Sequence, residues 1–223
     1  MAEATDGSRG AQTRQLILDT ALRLFREQSY DRTTMRAIAA AAGVSVGNAY
    51  YYFSGKEELV QAFYAQIQEE HRARAAPALA GSADVTSRLR GVLHAGIDVM
   101  EPYHEFAATF IKLAVDPDSP SSPFSAQSAA SRAAAVALFR EVLTGASPQV
   151  PADLRAELPE LLWLAHLGVT LFWVHDRSPG QARTRTLIDT SASVIGRLVR
   201  LARLPPLRSI TADLLSLTRT LRP

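Results

Sequence analysis

The sequence predicts an all-α protein of roughly nine or ten helices. Apolar residues recur at three- and four-residue spacing through most of the chain, and Ser, Thr, Asp or Pro punctuates the segments that carry them. No segment shows period-two alternation bounded by turns, so no sheet is assigned. The chain has 223 residues, 47% hydrophobic and 21% charged, the balance of a globular protein with one well-packed body or two modest domains. It has no cysteine, which excludes disulfides, thiolate nucleophiles and Cys-based zinc sites. A net charge of +2 says little about partners; where the charges sit matters more.

Taken in order, residues 1–10 are small, polar and Gly-containing, and are expected to form a mobile tail. Thr13 is placed to cap a first helix running to about Gln28, with Ile17, Ala21, Leu24 and Phe25 on one face. After Ser29-Tyr30-Asp31, a second helix runs from Thr33 or Thr34 to about Ala42, with Met35, Ile38, Ala39 and Ala42 close to i, i+3, i+4, i+7 spacing. Gly43 then supplies a left-handed turn, and Val44 fills the inside of the corner. Ser45 caps a third helix, Val46 to about Phe53. Ser54-Gly55-Lys56-Glu57 has the S-x-x-E form of a capping box, opening a fourth helix that carries Leu59, Val60, Phe63, Ile67 and His71 and ends near Pro77.

Beyond the Gly81-Ser82 break, Asp84 caps a fifth helix with Leu89, Val92, Leu93, Ile97 and Met100. Pro102 marks a kink or a new start, leading into a helix with Tyr103, Phe106, Phe110 and Leu113. Residues 116–123 are a loop, and Ser122-Pro123 reads as the cap and first residue of a helix to about Thr144. Pro148 and Pro151 bound another loop. A long apolar helix follows from about Ala152 to His175, then one with Leu187, Ser191, Ile195, Leu198 and Ala202 on a single side. Pro205-Pro206 precedes a last helix, Leu207 to about Leu221.

Residues 33–56 are the segment with chemistry. Two short helices joined by a Gly-containing turn form the helix-turn-helix pattern, whose second helix enters the DNA major groove. Phosphate contacts need hydroxyls, cations and free N–H groups at helix starts. Thr33, Thr34, Arg36 and Lys56 sit at such starts, and Tyr50 and Tyr52 add phenolic donors. Val46, Gly47, Asn48 and Tyr51 occupy the base-facing side if Val44, Ala49 and Phe53 point inward. Asn48 suits adenine, Val46 a thymine methyl, and Gly47 a close backbone approach. The competing reading is a corner that only packs, in a helical small-molecule-binding protein or an enzyme.

Residues 14–60, through LFREQSYDRTTM, IAAAAGVSVGNAYYYF and GKEEL, resemble the DNA-binding domain of the TetR family of transcriptional regulators. The resemblance implies a three-helix DNA-binding domain at 11–56 and a larger helical ligand-binding and dimerisation domain at 57–223. It implies phosphate contacts mainly from Thr34, Ser45, Tyr50, Tyr52 and Lys56, and base contacts from Val46, Gly47, Asn48 and Tyr51. It also implies a homodimer on double-stranded DNA, with a small-molecule effector in the body shifting the fourth helix. The family often has a basic or polar residue where this chain has Val46, and His at Tyr51 or Tyr52, which bears on the operator sequence.

The helices at about 152–176 and 181–203 are long and apolar enough to pack against their copies as a four-helix bundle. Met100, Tyr103, Phe106, Phe110, Trp163 and His166 combine apolar bulk with polar handles, as ligand cavities do. The histidines at 94, 104, 166 and 175 lack tight metal-ligand spacing, so no metal is expected, and no cofactor. No nucleophile elbow, phosphate-binding Gly loop or paired-carboxylate motif appears, so no catalytic residue is assigned and an enzyme is not expected. The N-terminal residues form no apolar signal segment, and the run from Leu161 to Val174 is shorter than the roughly 20 residues of a membrane span. The expected location is the cytoplasm, with no membrane contact.

Overall fold

The computed structural model describes residues 3–105 and 107–202, so Phe106 and the expected last helix, Leu207 to about Leu221, lie outside the described residues. Among the described residues the regular elements are helical: α1 Glu3–Gln28, α2 Met35–Ala42, α3 Val46–Tyr52, α4 Lys56–Gly81, α5 Val85–Met100, α6 Ala107–Val115, α7 Ala129–Thr144, α8 Ala152–His175 and α9 Ala182–Leu201. Short 3-10 turns occupy Glu101–Tyr103 and Pro179–Gln181. The described residues of Met1–Gln66 and Phe106–Ser131 form one compact unit, and those of Ile67–Glu105 and Arg132–Pro223 form a second. Residues of α4 belong to both units.

In the first unit, Ile17, Leu18, Ala21 and Phe25 of α1 are buried, as are Met35, Ile38 and Ala39 of α2, Ala49 of α3, and Phe53, Leu59 and Val60 beyond it. The helix α1 departs from expectation by beginning at Glu3, where a mobile tail was expected. Thr13 therefore lies inside the helix, its Oγ1 donating to the Arg9 carbonyl at 2.9 Å, and caps nothing. Extending an existing helix avoids the cost of nucleation, so weakly helical residues are carried along by the stronger segment that follows. The Ser54–Glu cap also shifts by one residue: Glu58, not Glu57, accepts from the Ser54 N–H at 2.7 Å and its hydroxyl at 2.9 Å.

The segment after α6 is bound to α4 within this unit. Gln61 Nε2 donates to the Pro120 carbonyl and to Ser128 Oγ, each at 3.0 Å, and Tyr64 OH donates to the Ser121 carbonyl at 3.0 Å. Ser122-Pro123 does not open α7, which starts at Ala129. The Ser122 N–H closes a turn onto Ser119, and its carbonyl accepts from Ser125 in another, so the chain makes successive turns before the helix.

The second unit is built around α5, held at its start by Asp84 Oδ2, which accepts the Ser87 N–H at 2.9 Å and hydroxyl at 3.0 Å. Leu89, Val92, Leu93, Ile97 and Val99 of α5 are buried. α4 was expected to end near Pro77 but runs on to Gly81. Proline removes one hydrogen bond there, and the Arg88 guanidinium holds the end of the helix by donating to the carbonyls of Leu79 and Ser82. A Cβ at Gly91 would stand 2.3 Å from the Ala78 Cβ, and one at Gly196 only 2.0 Å from Thr86 Oγ1. These glycines let α5 approach α4 on one side and α9 on another.

That close approach sets which face of α9 points inward. Its inward residues are Thr184, Ile188, Ala192, Gly196 and Val199, and at Gly196 the approach of Thr86 leaves no room for a side chain. Of the stripe Leu187, Ser191, Ile195, Leu198 and Ala202, only Ala202 is buried, whereas Leu187 and Leu198 are exposed together with Val194 and Leu201.

Candidate nucleic-acid interface

The helix-turn-helix is fixed by three local devices. Thr34, extended at φ −117° and ψ 153°, accepts the Ala37 N–H on its side chain at 3.2 Å. Gly43 takes the left-handed conformation, φ 69°, so that its N–H reaches the Ala40 carbonyl at 3.2 Å and that of Val44 reaches Ala39 at 3.0 Å. Ser45 Oγ then accepts the Asn48 N–H at 3.1 Å and starts α3.

Ala49 and Phe53, both fully buried, seat α3 on the unit. Helical periodicity therefore turns Gly47 and Tyr51 outward, with Val46 and Tyr50 on one flank and Asn48 on the other. Tyr51 is 80% exposed and Tyr50 52%, large fractions for aromatic rings. Tyr52 is half-buried, with its ring edge-on to Tyr51 at 5.1 Å. A Cβ added at Gly47 would meet nothing within 4 Å. Thr34, Arg36 and Ser45 are also exposed, and Arg36 is the sole charged residue between Thr33 and Phe53. No carboxylate in this segment would repel a polyanion.

Two of the expected phosphate contacts also have partners within the protein. Thr33 is fully buried, and its Oγ1 donates to the Ser29 carbonyl at 2.8 Å, closing the turn after α1. Lys56 is half-buried; its Nζ donates to the Tyr30 carbonyl at 2.8 Å and lies 4.3 Å from the Tyr30 ring centre. Tyr30 OH in turn reaches Glu57 Oε1 at 3.4 Å, and burial, reinforced by that carboxylate, raises the phenol pKa above its ordinary value. Lys56 thus ties the start of α4 to the α1–α2 turn. Arg14, a cation of α1, is exposed, with its guanidinium 4.6 Å from the Phe53 ring centre. Its place on α1 was legible, but its partner belongs to another helix.

In the second unit Trp163 and His166 are buried, and Met100 and Tyr103 half-buried. Phe110 belongs to the first unit, where its ring lies 5.1 Å from Phe63. His166 instead neighbours His71 at 5.4 Å and Phe139 at 5.8 Å, with Gly96 leaving room for both imidazoles. His71 Nε2 donates to the Val92 carbonyl at 2.8 Å, whereas His166 Nδ1 is buried with no hydrogen-bond partner among the described residues. Burial lowers both pKa values, that of His166 to about 3 with help from His71. A separate apolar cleft of about 240 Å³ is lined by Leu89 and Leu93 of α5, by Leu162, Ala165, Gly168 and Val169 of α8, and by Leu187, Ser191 and Ile195 of α9. It includes none of the expected ligand residues. Among the described residues no helix is long and apolar enough to cross a membrane.

The fold and this exposed, carboxylate-free corner define a helix-turn-helix protein with a helical body. Residues 17–63 match the family model described as bacterial regulatory proteins, tetR family, and residues 88–217, more than half of the chain, match that for the tetracyclin repressor-like C-terminal domain. The chain belongs to the TetR family of regulators. It is 31% identical over 88 residues to the HTH-type transcriptional repressor KstR2 of Mycobacterium tuberculosis, a match covering 40% of this chain and 44% of that protein. The match thus spans less than half of that relative's length. Among solved structures, a TetR transcriptional regulator from Nitrosomonas europaea aligns with a TM-score of 0.63 at 18% identity, over 81% of this chain and 96% of that one. Bacillus subtilis FadR in complex with stearoyl-CoA aligns with a TM-score of 0.64 at 17% identity, over 80% and 96%. At these identities the two structures establish the fold.

Proposed function

We propose that the protein is a homodimeric, ligand-responsive transcriptional repressor that binds double-stranded DNA through α3. The observation that carries this reading is the outward face of α3. Tyr51 is left in solvent, and Gly47 is kept where neither packing nor backbone conformation requires a glycine. A glycine in a helix costs about 1 kcal/mol relative to alanine, and here it makes sense as room for a closely approaching partner. The same face argues against a corner that only packs.

Dimerisation is supported by the outer face of α9, where Leu187, Val194, Leu198 and Leu201 are exposed. Leu164, Leu171 and Phe172 of α8 are exposed as well. The exposed apolar residues of α8 and α9 fit a second copy of the chain, as the four-helix reading requires. FadR, whose fold this chain shares, was solved with stearoyl-CoA, which supports a body that takes a small molecule. The buried, unpartnered His166 Nδ1 is the polar atom best suited to meet such an effector. The effector releases DNA only as far as it prefers the non-binding conformation. The test is a gel shift on DNA upstream of the protein's own gene, comparing the wild type with N48A/Y51A. Both side chains are exposed, so circular dichroism should stay unchanged while the shift disappears. A shift that persists in the double variant overturns the reading.

A further inference from the structure

We propose that α3 reads A·T base pairs, with Asn48 taking an adenine and Val46 the methyl group of a thymine. The inference rests on the DNA-binding reading and adds the chemistry of the site it recognises. The helix has the sequence VGNAYYY. With Ala49 buried and Tyr52 half-buried, the groups that can reach base edges are Val46, Gly47, Asn48, Tyr50 and Tyr51.

Guanine is distinguished in the major groove by a cation that bonds O6 and N7 together, and cytosine by a carboxylate that accepts from N4. α3 carries neither type of group. Adenine is distinguished by an amide that accepts from N6 and donates to N7, and Asn48 is the sole amide side chain on the helix. Its backbone N–H is held by Ser45, which fixes the residue in the first turn, where base-contacting residues of such helices lie, while the side chain remains exposed. Val46, 39% exposed at the first helical position, offers only methyl groups, and the apolar feature of the major-groove edge is the thymine methyl. At about 100° per residue Val46 and Asn48 stand on opposite flanks of the outward arc, so they address different base pairs. Gly47 between them adds no side chain to hold those flanks away from the groove floor. The phenol hydroxyls of Tyr50 and Tyr51 both donate and accept, and so discriminate weakly.

The test begins with selection of duplexes from a random library by the full-length protein. The selected duplex is then titrated against the wild type, N48A and V46A. The inference expects N48A to relax preference at an adenine. Replacing that adenine by 7-deaza-adenine should weaken wild-type binding by about fivefold or more and leave N48A nearly unaffected. Deoxyuridine in place of the contacted thymidine should weaken the wild type by about threefold and V46A not at all. A selected site in which N48A relaxes a G·C pair, or in which neither variant changes any preference, overturns the inference and leaves DNA binding standing. Selection of no sequence at all overturns the DNA-binding reading, and this one with it.

Discussion

The guanidinium of Arg88 is directed wholly at main-chain carbonyls: Nη1 at Leu79 and Ser82, Nη2 at Glu141 at 2.8 Å and Nε at Val142 at 3.1 Å. These carbonyls lie at or beside the C-terminal ends of α4 and α7, where intrahelical partners run out. An ammonium has three donors on one atom and cannot span both helix ends. Arg88→Lys should therefore lower stability by about 2–4 kcal/mol, read from urea unfolding, although the charge is kept. The His71–His166 pair should set the acid response. Both folded-state pKa values lie below the ordinary 6.5, so the unfolded chain binds protons first as pH falls. Stability is then fully present above about pH 6.5 and declines below it, by at most about 1.4 kcal/mol per pH unit for each histidine, continuing toward pH 3 for His166. Asp176 acts in a separate window. Burial alone would raise its pKa, but hydrogen bonds from Ser178 and Thr184 outweigh that and hold it well below its ordinary 3.8, so its contribution is lost only in stronger acid. Urea midpoints between pH 7 and 4.5 should accordingly shift less for His166→Phe than for the wild type. An equal shift would place the acid sensitivity elsewhere.

At the scale of elements, α3 makes opposite demands on its two neighbouring glycines. Gly43→Ala forces a Cβ onto a left-handed residue at φ 69°, and should cost about 1–2 kcal/mol although the methyl group meets no other atom. Gly47→Ala instead removes a glycine from the first turn of α3, in open space, and should raise the thermal midpoint while weakening operator binding. A Gly47→Ala protein that is more stable and binds DNA equally well would contradict close approach at that position. These elements were legible in the sequence because Thr34, Gly43 and Ser45 act on atoms within five residues of themselves. What was not legible depended on distant partners. Pro77 ends most helices, but here Arg88 holds the following turn. The inward face of α9 is set by Gly196 against Thr86, residues far apart in sequence. Lys56 looks like a free cation at a helix start until the Tyr30 carbonyl is placed beside it, and Thr33 looks like a phosphate ligand until the turn after α1 closes around it.

For the whole molecule, the question is why a small reading head can find one site among many. A seven-residue helix supplies few base contacts, and a single module of this kind covers about 600–1,000 Å² of surface. In the proposed dimer the second head binds intramolecularly, at half-sites about 34–36 Å apart, and adds specific affinity. The outward residues Phe172 of α8 and Leu198 of α9, 43% and 59% exposed, are large apolar groups whose exposed faces have no partner in the isolated chain. Charges placed there should leave the chain folded, because neither residue belongs to the core. Phe172→Glu with Leu198→Glu should therefore halve the mass measured by sedimentation while keeping the helical spectrum. Binding to a single half-site should be unchanged, and binding to the full palindrome should fall by about 100-fold or more as the linkage is lost. A variant that stays dimeric would move the interface away from α8 and α9. One that becomes monomeric yet holds the full site as tightly as the wild type would show that each head binds on its own.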